Sequence, residues 1–168
     1  MAYADHFKLA DDLIAHLTPA VAGIADPFLA SRYSGFVAVA AVTVYELAVK
    51  EILCAFGESK HAVLGNFTRN YFERINGRIK YRVLHEEYVF AFGDKYVRRF
   101  KKLVVKRERE VLIAQRKSIL TSYDNIITWR HLFAHEGQIP TNATYAEAVD
   151  AYQLGKEVIE CLASSMKR

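Results

Sequence analysis

An arginine and two histidines crowd one hexapeptide, Arg130-His131-Leu132-Phe133-Ala134-His135. The guanidinium is permanently charged, donates only, and suits the planar oxygens of a carboxylate or phosphate. Imidazole changes its charge near neutral pH and can take or give a proton. His131 and His135 are four residues apart, so on a helix they face the same way. Fixed positive charge beside titratable histidine fits an anionic group such as a phosphate. Glu46 is the second anomaly, because it interrupts an otherwise apolar helical face. A carboxylate placed there needs a cation or hydrogen-bond donors. Arg130 is the expected partner if the two helices pack together.

These residues must be carried by helices, since strand-like alternation is scarce. The hydrophobic spacing predicts an amphipathic helix over 3–17, carrying Phe7, Ala10, Leu13, Ile14 and Leu17 on one face. A connection from Pro19 to Pro27 follows. A long helix over 28–56 stops near Gly57; its middle, FVAVAAVTVY, is apolar on every side, as in a central buried helix. Helices over 61–75 and 80–92 end at Asn76-Gly77 and Gly93. The stretch 94–107 is a basic helix or helical connection. A second long helix covers 108–136 and ends at Gly137, with Pro140 beyond. On it Ile119, Tyr123, Ile126 and Phe133 form a core stripe that includes Arg130. Asp124, Thr128, His131 and His135 form a polar stripe alongside. Thr144 with Glu147 forms a capping box for a last helix to about 166. The expected fold class is all-α: a helical bundle with two long antiparallel core helices and shorter packing helices, one domain over 1–168.

The 168 residues are 52% hydrophobic and 25% charged, an ordinary balance that supports a core without metals or disulfides. The formal charge of +4 hints only mildly at an acidic partner. Its distribution says more: Lys95, Arg98, Arg99, Lys101, Lys102, Lys106, Arg107 and Arg109 face one acid, Glu108. That run reads either as a solvated face or as a phosphate-tracking surface for RNA. Tyr96 and Phe100 interleave with it, in positions that serve stacking or core packing alike. Cys54 and Cys161 stand apart and read as buried free thiols of a reducing compartment. The N-terminus carries no secretory pattern, and the longest apolar run ends at Glu46, too short for a membrane span. The expected location is cytoplasmic, so the sequons at Asn66 and Asn142 have no role. There is no phosphate-binding glycine loop, no nucleophile elbow and no H-E-x-x-H. His131 and His135 have the spacing of metal ligands, but Arg130 beside them would repel a cation. No metal and no cofactor are expected.

The hexapeptide resembles the R-x4-6-H motif of the HEPN superfamily, whose residue after the arginine is usually polar, as His131 is. The following Gly137, the capped last helix, and Tyr45-Glu46-Leu47 with Lys50 on the long upstream helix are similar too. The likeness runs from about Arg32 to Met166 and is closest to the RiboL-PSP-HEPN branch. Glu136 departs from it, standing where the family more often has glycine.

The resemblance implies a helical bundle, commonly a homodimer, and in many members a metal-independent endoribonuclease of toxin–antitoxin or antiphage systems. There the RNA 2′-hydroxyl attacks its own phosphate and leaves a cyclic phosphate end. By that resemblance His135 is the general base or acid, Arg130 steadies the phosphate charge, His131 orients or assists, and Glu46 supports the site. Expected partners are RNA, a second copy and possibly an antitoxin protein. Five residues along a regular helix set Arg130 and His135 about 140° apart, at about 100° per residue. That offset favours a site completed by a second chain or by a distorted helix end. The alternative is a non-catalytic HEPN-like module that binds nucleotide, RNA or protein and uses the motif as a dimer seam. A plain helical interaction protein is the third reading.

Overall fold

A segment that is apolar on all sides can only be satisfied by neighbours on all sides, and α3, Tyr33–Lys60, meets that condition. In the computed structural model, which describes residues 2–139 and 143–167, α3 runs through the middle of an all-α bundle. Around it lie α1 (Phe7–Ala22), α2 (Pro27–Ser31), α4 (Ala62–Phe72), α5 (Tyr81–Val83), α6 (Asp94–Gln115), α7 (Ile119–Glu136) and α8 (Tyr145–Ser165). Gly35 at one end of α3 meets Phe133 near the end of α7, while Tyr45 stacks on Tyr123 near the start of α7. The two helices are therefore antiparallel. Helix α8 packs on both and runs parallel to α3, since Tyr45 meets Tyr152 while Ile52 and Ser59 lie beside Ala163 and Lys167.

The core closes over three tyrosines. Tyr45, Tyr123 and Tyr152 are fully buried, with Tyr45 stacked between the other two. Buried hydroxyls need partners, and each donates to a backbone carbonyl: Tyr45 to Tyr152, Tyr123 to Ile79 at 2.7 Å, and Tyr152 to Phe7 at 3.1 Å. Gly155 makes room, because a Cβ there would overlap the Tyr45 hydroxyl.

Several expected boundaries differ. Helix α1 runs through Pro19 to Ala22 instead of stopping near 17. Proline in the last turn forfeits one bond, to the exposed Ala15 carbonyl, while buried Val21 holds the turn on the core. The long helix is divided at Arg32 into α2 and α3. It then passes Gly57, whose missing side chain lets Thr68 of α4 approach closely. Helix α4 ends at Phe72, not 75. The stretch after Lys80 is one α-helical turn, a π-helical turn over Leu84–Tyr88 and a 3₁₀ turn over Phe90–Phe92, closed by Gly93 at φ 105°. The expected helix over 108–136 is two helices. Arg116 turns left-handed at φ 58°, and Glu108 of α6 accepts the first N–H groups of α7, those of Ile119 (2.8 Å) and Leu120 (3.2 Å), which have no acceptor within the helix. An acid at that terminus stabilises a new helix start, so α6 extends to Gln115 and α7 begins anew, capped by Ser118.

Gly137 at φ 64° ends α7, and Gln138 N–H returns to the Leu132 carbonyl at 3.0 Å. The Thr144–Glu147 capping box opens α8. Pro140 and Asn142 lie outside the described residues. Among the described residues no helix is long and apolar enough to cross a membrane. Cys161 is buried and Cys54 half-buried, both free.

Candidate functional site

Helix α7 carries the hexapeptide in its last two turns, so Arg130, His131 and His135 arrive together at one end of the bundle. Tyr123, Ile126 and Trp129 bury the preceding turns, which fixes the axis and leaves Asp124, Thr128, His131 and His135 exposed as the polar stripe. Phe133 is half-buried against Gly35, with its ring edge on Phe36 (5.3 Å between centroids).

Arg130 is half-buried, and its Nη1 lies 2.8 Å from His135 Nε2. The two therefore meet within one chain, despite the helical offset expected to separate them. The arginine side chain is long enough to reach along the helix end, so angular separation of Cα atoms does not decide the contact. Arginine can only donate, so in this pairing His135 Nε2 accepts and its proton sits on Nδ1. The ring of His131 is 5.1 Å from that of His135, and its Nε2 is 3.6 Å from Glu136 Oε1. Glu136 thus faces His131.

Glu46 does not pair with Arg130. Its Oε1 accepts from Lys50 at 2.9 Å, and its Oε2 accepts from the Gly77 backbone N–H at 2.7 Å. The connection is indirect. Gly77 adopts φ 72°, and a Cβ on it would stand 3.2 Å from Arg130 Nη1. Glu46 therefore pins the segment between α4 and α5 onto α3, and the bare face of its glycine backs the guanidinium. The Tyr123 hydroxyl on the Ile79 carbonyl holds the same segment from α7. Gly77 thus belongs to the site, although its sequence signal is only that of a helix stop.

Removing the acid is expected to loosen this segment. Glu46→Ala strips the acceptor from the Gly77 amide, a charge-assisted bond worth about 1.5–3 kcal/mol. Amide exchange at Gly77, followed by mass spectrometry, should accelerate roughly 10- to 100-fold on that figure. Glu46→Gln keeps an acceptor oxygen and should fall between. Unchanged protection in the alanine variant would mean that Tyr123 alone holds the segment.

The structure does not bring the basic run to the motif. Lys95, Arg98, Arg99, Lys101, Lys102, Lys106 and Arg107 lie on α6, whose start packs at the other end of α3: Tyr96 meets Phe56 edge-on at 4.9 Å. Phe56 is about 30 Å along α3 from Gly35, at 1.5 Å per residue. Arg99 donates to the Lys167 carbonyl at 2.7 Å, and Arg107 makes a two-pronged pair with Glu157 at 2.6 and 2.7 Å. Phe100 is fully buried, so the interleaved aromatics pack the core. Lys95, Arg98, Lys101, Lys102 and Lys106 stay exposed.

A second cationic stretch begins at Arg69, paired with Glu58 beyond Gly57 of α3, and reaches the motif at Gly77, which stands against Arg130. Arg69, Arg74, Arg78, Lys80 and Arg82 face one acid, Glu73, across that stretch of chain. The sequence signal was there, but its members are spread over the end of α4 and a loop, so no single face announced them. Among the described residues no group of three or more His, Cys, Asp or Glu side chains is gathered to hold a metal ion.

The arrangement offers a fixed cation, a histidine whose Nε2 lone pair faces it, and a second histidine within one ring's reach, all at an open helix end. The chain matches the family model described as RiboL-PSP-HEPN over residues 3–168. Comparison with curated proteins and with solved structures gives no match.

Proposed function

The chain belongs to the RiboL-PSP-HEPN family, and from that premise we propose that it is a metal-independent endoribonuclease working through Arg130 and His135. The observation that carries the reading is the 2.8 Å contact between Arg130 Nη1 and His135 Nε2 at an exposed helix end. An RNA phosphate entering there takes the place of His135 as the acceptor for Arg130, because an anionic oxygen is the stronger acceptor. That exchange frees the Nε2 lone pair. His135 then removes the proton of the 2′-hydroxyl, whose oxygen attacks the adjacent phosphorus. The bond to the 5′-oxygen breaks, that oxygen is protonated, and a 2′,3′-cyclic phosphate remains. Arg130 steadies the charge that builds on the phosphoryl oxygens. The proton for the leaving oxygen comes from a second histidine, either His131 or the His135 of a second copy.

A homodimer is part of the proposal. Phe36 (51% exposed) packs on Phe133 of the motif, and Phe28 (62%) and Leu29 stand exposed on α2, which leads into α3. An apolar patch of this kind on a bundle end marks an interaction surface. A second copy seated there would bring two motifs together. The proposed setting is a cytoplasmic toxin–antitoxin or defence system, with a neutralising protein as a further partner.

The test is incubation of end-labelled single-stranded RNA with pure protein in EDTA. Cleavage that resists the chelator and leaves cyclic phosphate ends supports the reading. If pure dimer leaves every RNA intact, the enzyme reading fails. The second reading, a non-catalytic module with a structural motif, then takes its place. It draws on the same contact, since Arg130 already has a partner in His135.

A further inference from the structure

Helix α4 leaves an aromatic ladder in solvent. Val63, Phe67 and Tyr71 recur every fourth residue and are 69%, 63% and 48% exposed, although Phe72 beside them is buried. Phe67 and Tyr71 lie nearly parallel, at 13° with centroids 6.1 Å apart. One edge of Tyr71 packs on buried Phe72, with centroids 5.0 Å apart, while Phe67 and the outer face of the pair stay in solvent. Tyr71 opens onto a cleft of about 370 Å³, lined also by Asn70, Arg74, Arg78 and Tyr88, with Glu87 at its edge. Arg78 is held by Glu87 at 3.1 Å, whereas exposed Arg74 makes no ion pair among the described residues.

The cleft leads to the motif by contiguous contacts. Arg78 follows Gly77, the backbone of Gly77 backs Arg130, and Arg130 touches His135. We infer that this face is the track for single-stranded RNA, and that the α6 run is not. Unpaired bases stack on Phe67 and Tyr71, Arg74 and Arg78 hold the phosphates between, and the strand continues over Gly77 to Arg130. Flat rings with interleaved cations are what a single strand recognises, since every base has a π-face and every linkage a charge. Glu73 and Glu87 oppose the phosphates, so affinity through this track is moderate and salt-sensitive. The inference rests on the ribonuclease reading for its direction, but its test does not depend on turnover.

The test uses His135→Ala protein, which holds RNA without cutting it, and a fluorescein-labelled 12-residue oligouridylate read by anisotropy. Adding Tyr71→Ala should weaken binding roughly tenfold, and Tyr71→Phe should restore it, because the ring rather than the hydroxyl carries the stack. Arg74→Ala should reduce the slope of log Kd against log salt by about 0.7, one phosphate contact of a single strand. The comparison variant is Lys101→Ala with Lys102→Ala, expected to leave affinity within about twofold. All these side chains are exposed, and a melting curve checks that each variant folds. Loss of binding in the α6 variant with none in Tyr71→Ala overturns the inference, as does the absence of any oligouridylate binding. If Phe67→Ala with Tyr71→Ala splits a dimer in sedimentation and leaves RNA affinity unchanged, the ladder is a protein contact and the inference fails. Cleavage by wild type with KM unchanged in Tyr71→Ala would remove the track while keeping the nuclease.

Discussion

Arg130→Ala is expected to lower RNA cleavage by about 10²–10³-fold, the cost of removing one aimed donor from developing charge. His135→Ala should cost about 10²–10⁴-fold, the range of a general acid or base. The two act on one phosphate, so the double variant should be little worse than the poorer single one. Arg130→Lys is the sharper test. Lysine keeps the charge, but it is a point donor and cannot grip a phosphate through two parallel N–H bonds as the guanidinium does. It should recover only a small part of the lost rate. His131→Ala discriminates between the two sources of the second proton. A loss comparable to that of His135→Ala assigns it to His131, whereas a small loss assigns it to a second copy. Both histidines and Arg130 sit at the exposed end of α7, so none of these changes should move the melting temperature much. Full activity in Arg130→Ala would remove the motif from the chemistry altogether.

Tyr45→Ala is expected to destabilise the bundle by about 3–5 kcal/mol, as truncation of a buried aromatic does when neighbours cannot collapse into the space. Collapse is blocked because Tyr45 separates Tyr123 from Tyr152, and both are anchored through their hydroxyls. Tyr45→Phe keeps the stack and loses only the donor to the Tyr152 carbonyl, about 0.5–1.5 kcal/mol. Urea denaturation measures both. A cost for Tyr45→Ala no greater than that for the exposed Leu9→Ala would mean that the trio does not hold the three long helices together.

The same trio makes the fold sensitive to alkali. Burial, with the neighbouring tyrosines and Asp11 adding to it, raises the Tyr45 hydroxyl well above its ordinary value. Burial followed by Asp124 does the same for Tyr123, and burial followed by Asp11 for Tyr152. A pKa raised in the folded state means that the unfolded chain gives up its protons first. The contribution is therefore complete below about pH 10, the unfolded tyrosine value, and is lost as pH rises beyond it. Unfolding free energy should fall steeply above that pH, and Tyr45→Phe should soften the fall. A flat profile to pH 11.5 or so would contradict the buried, neutral state of these hydroxyls.

By itself the sequence determined the helical class, the central place of α3, the stop at Gly137, the capping box at Thr144 and the hexapeptide that holds the candidate chemistry. Each is a local property: hydrophobic period, a residue able to turn left-handed, a side chain that reaches its own backbone. It did not determine that α6 and α7 are separate helices. Helical spacing continues through Arg116, and the break is stabilised by Glu108, whose acceptors matter only once α6 folds back beside the new terminus. Nor did it determine the partner of Glu46. A carboxylate on that face needs donors, and beside Lys50 one turn on, the donor is the Gly77 amide, thirty-one residues away along the chain. Only tertiary structure decided that Arg130 lies over His135 within one chain, with the bare backbone of Gly77 behind the guanidinium. It also carried the α6 cations to the far end of α3 and brought the segment after α4, through Gly77, behind the guanidinium. Charge and ring counts along a chain say what a surface is made of, and the packing of the helices decides which surface it is.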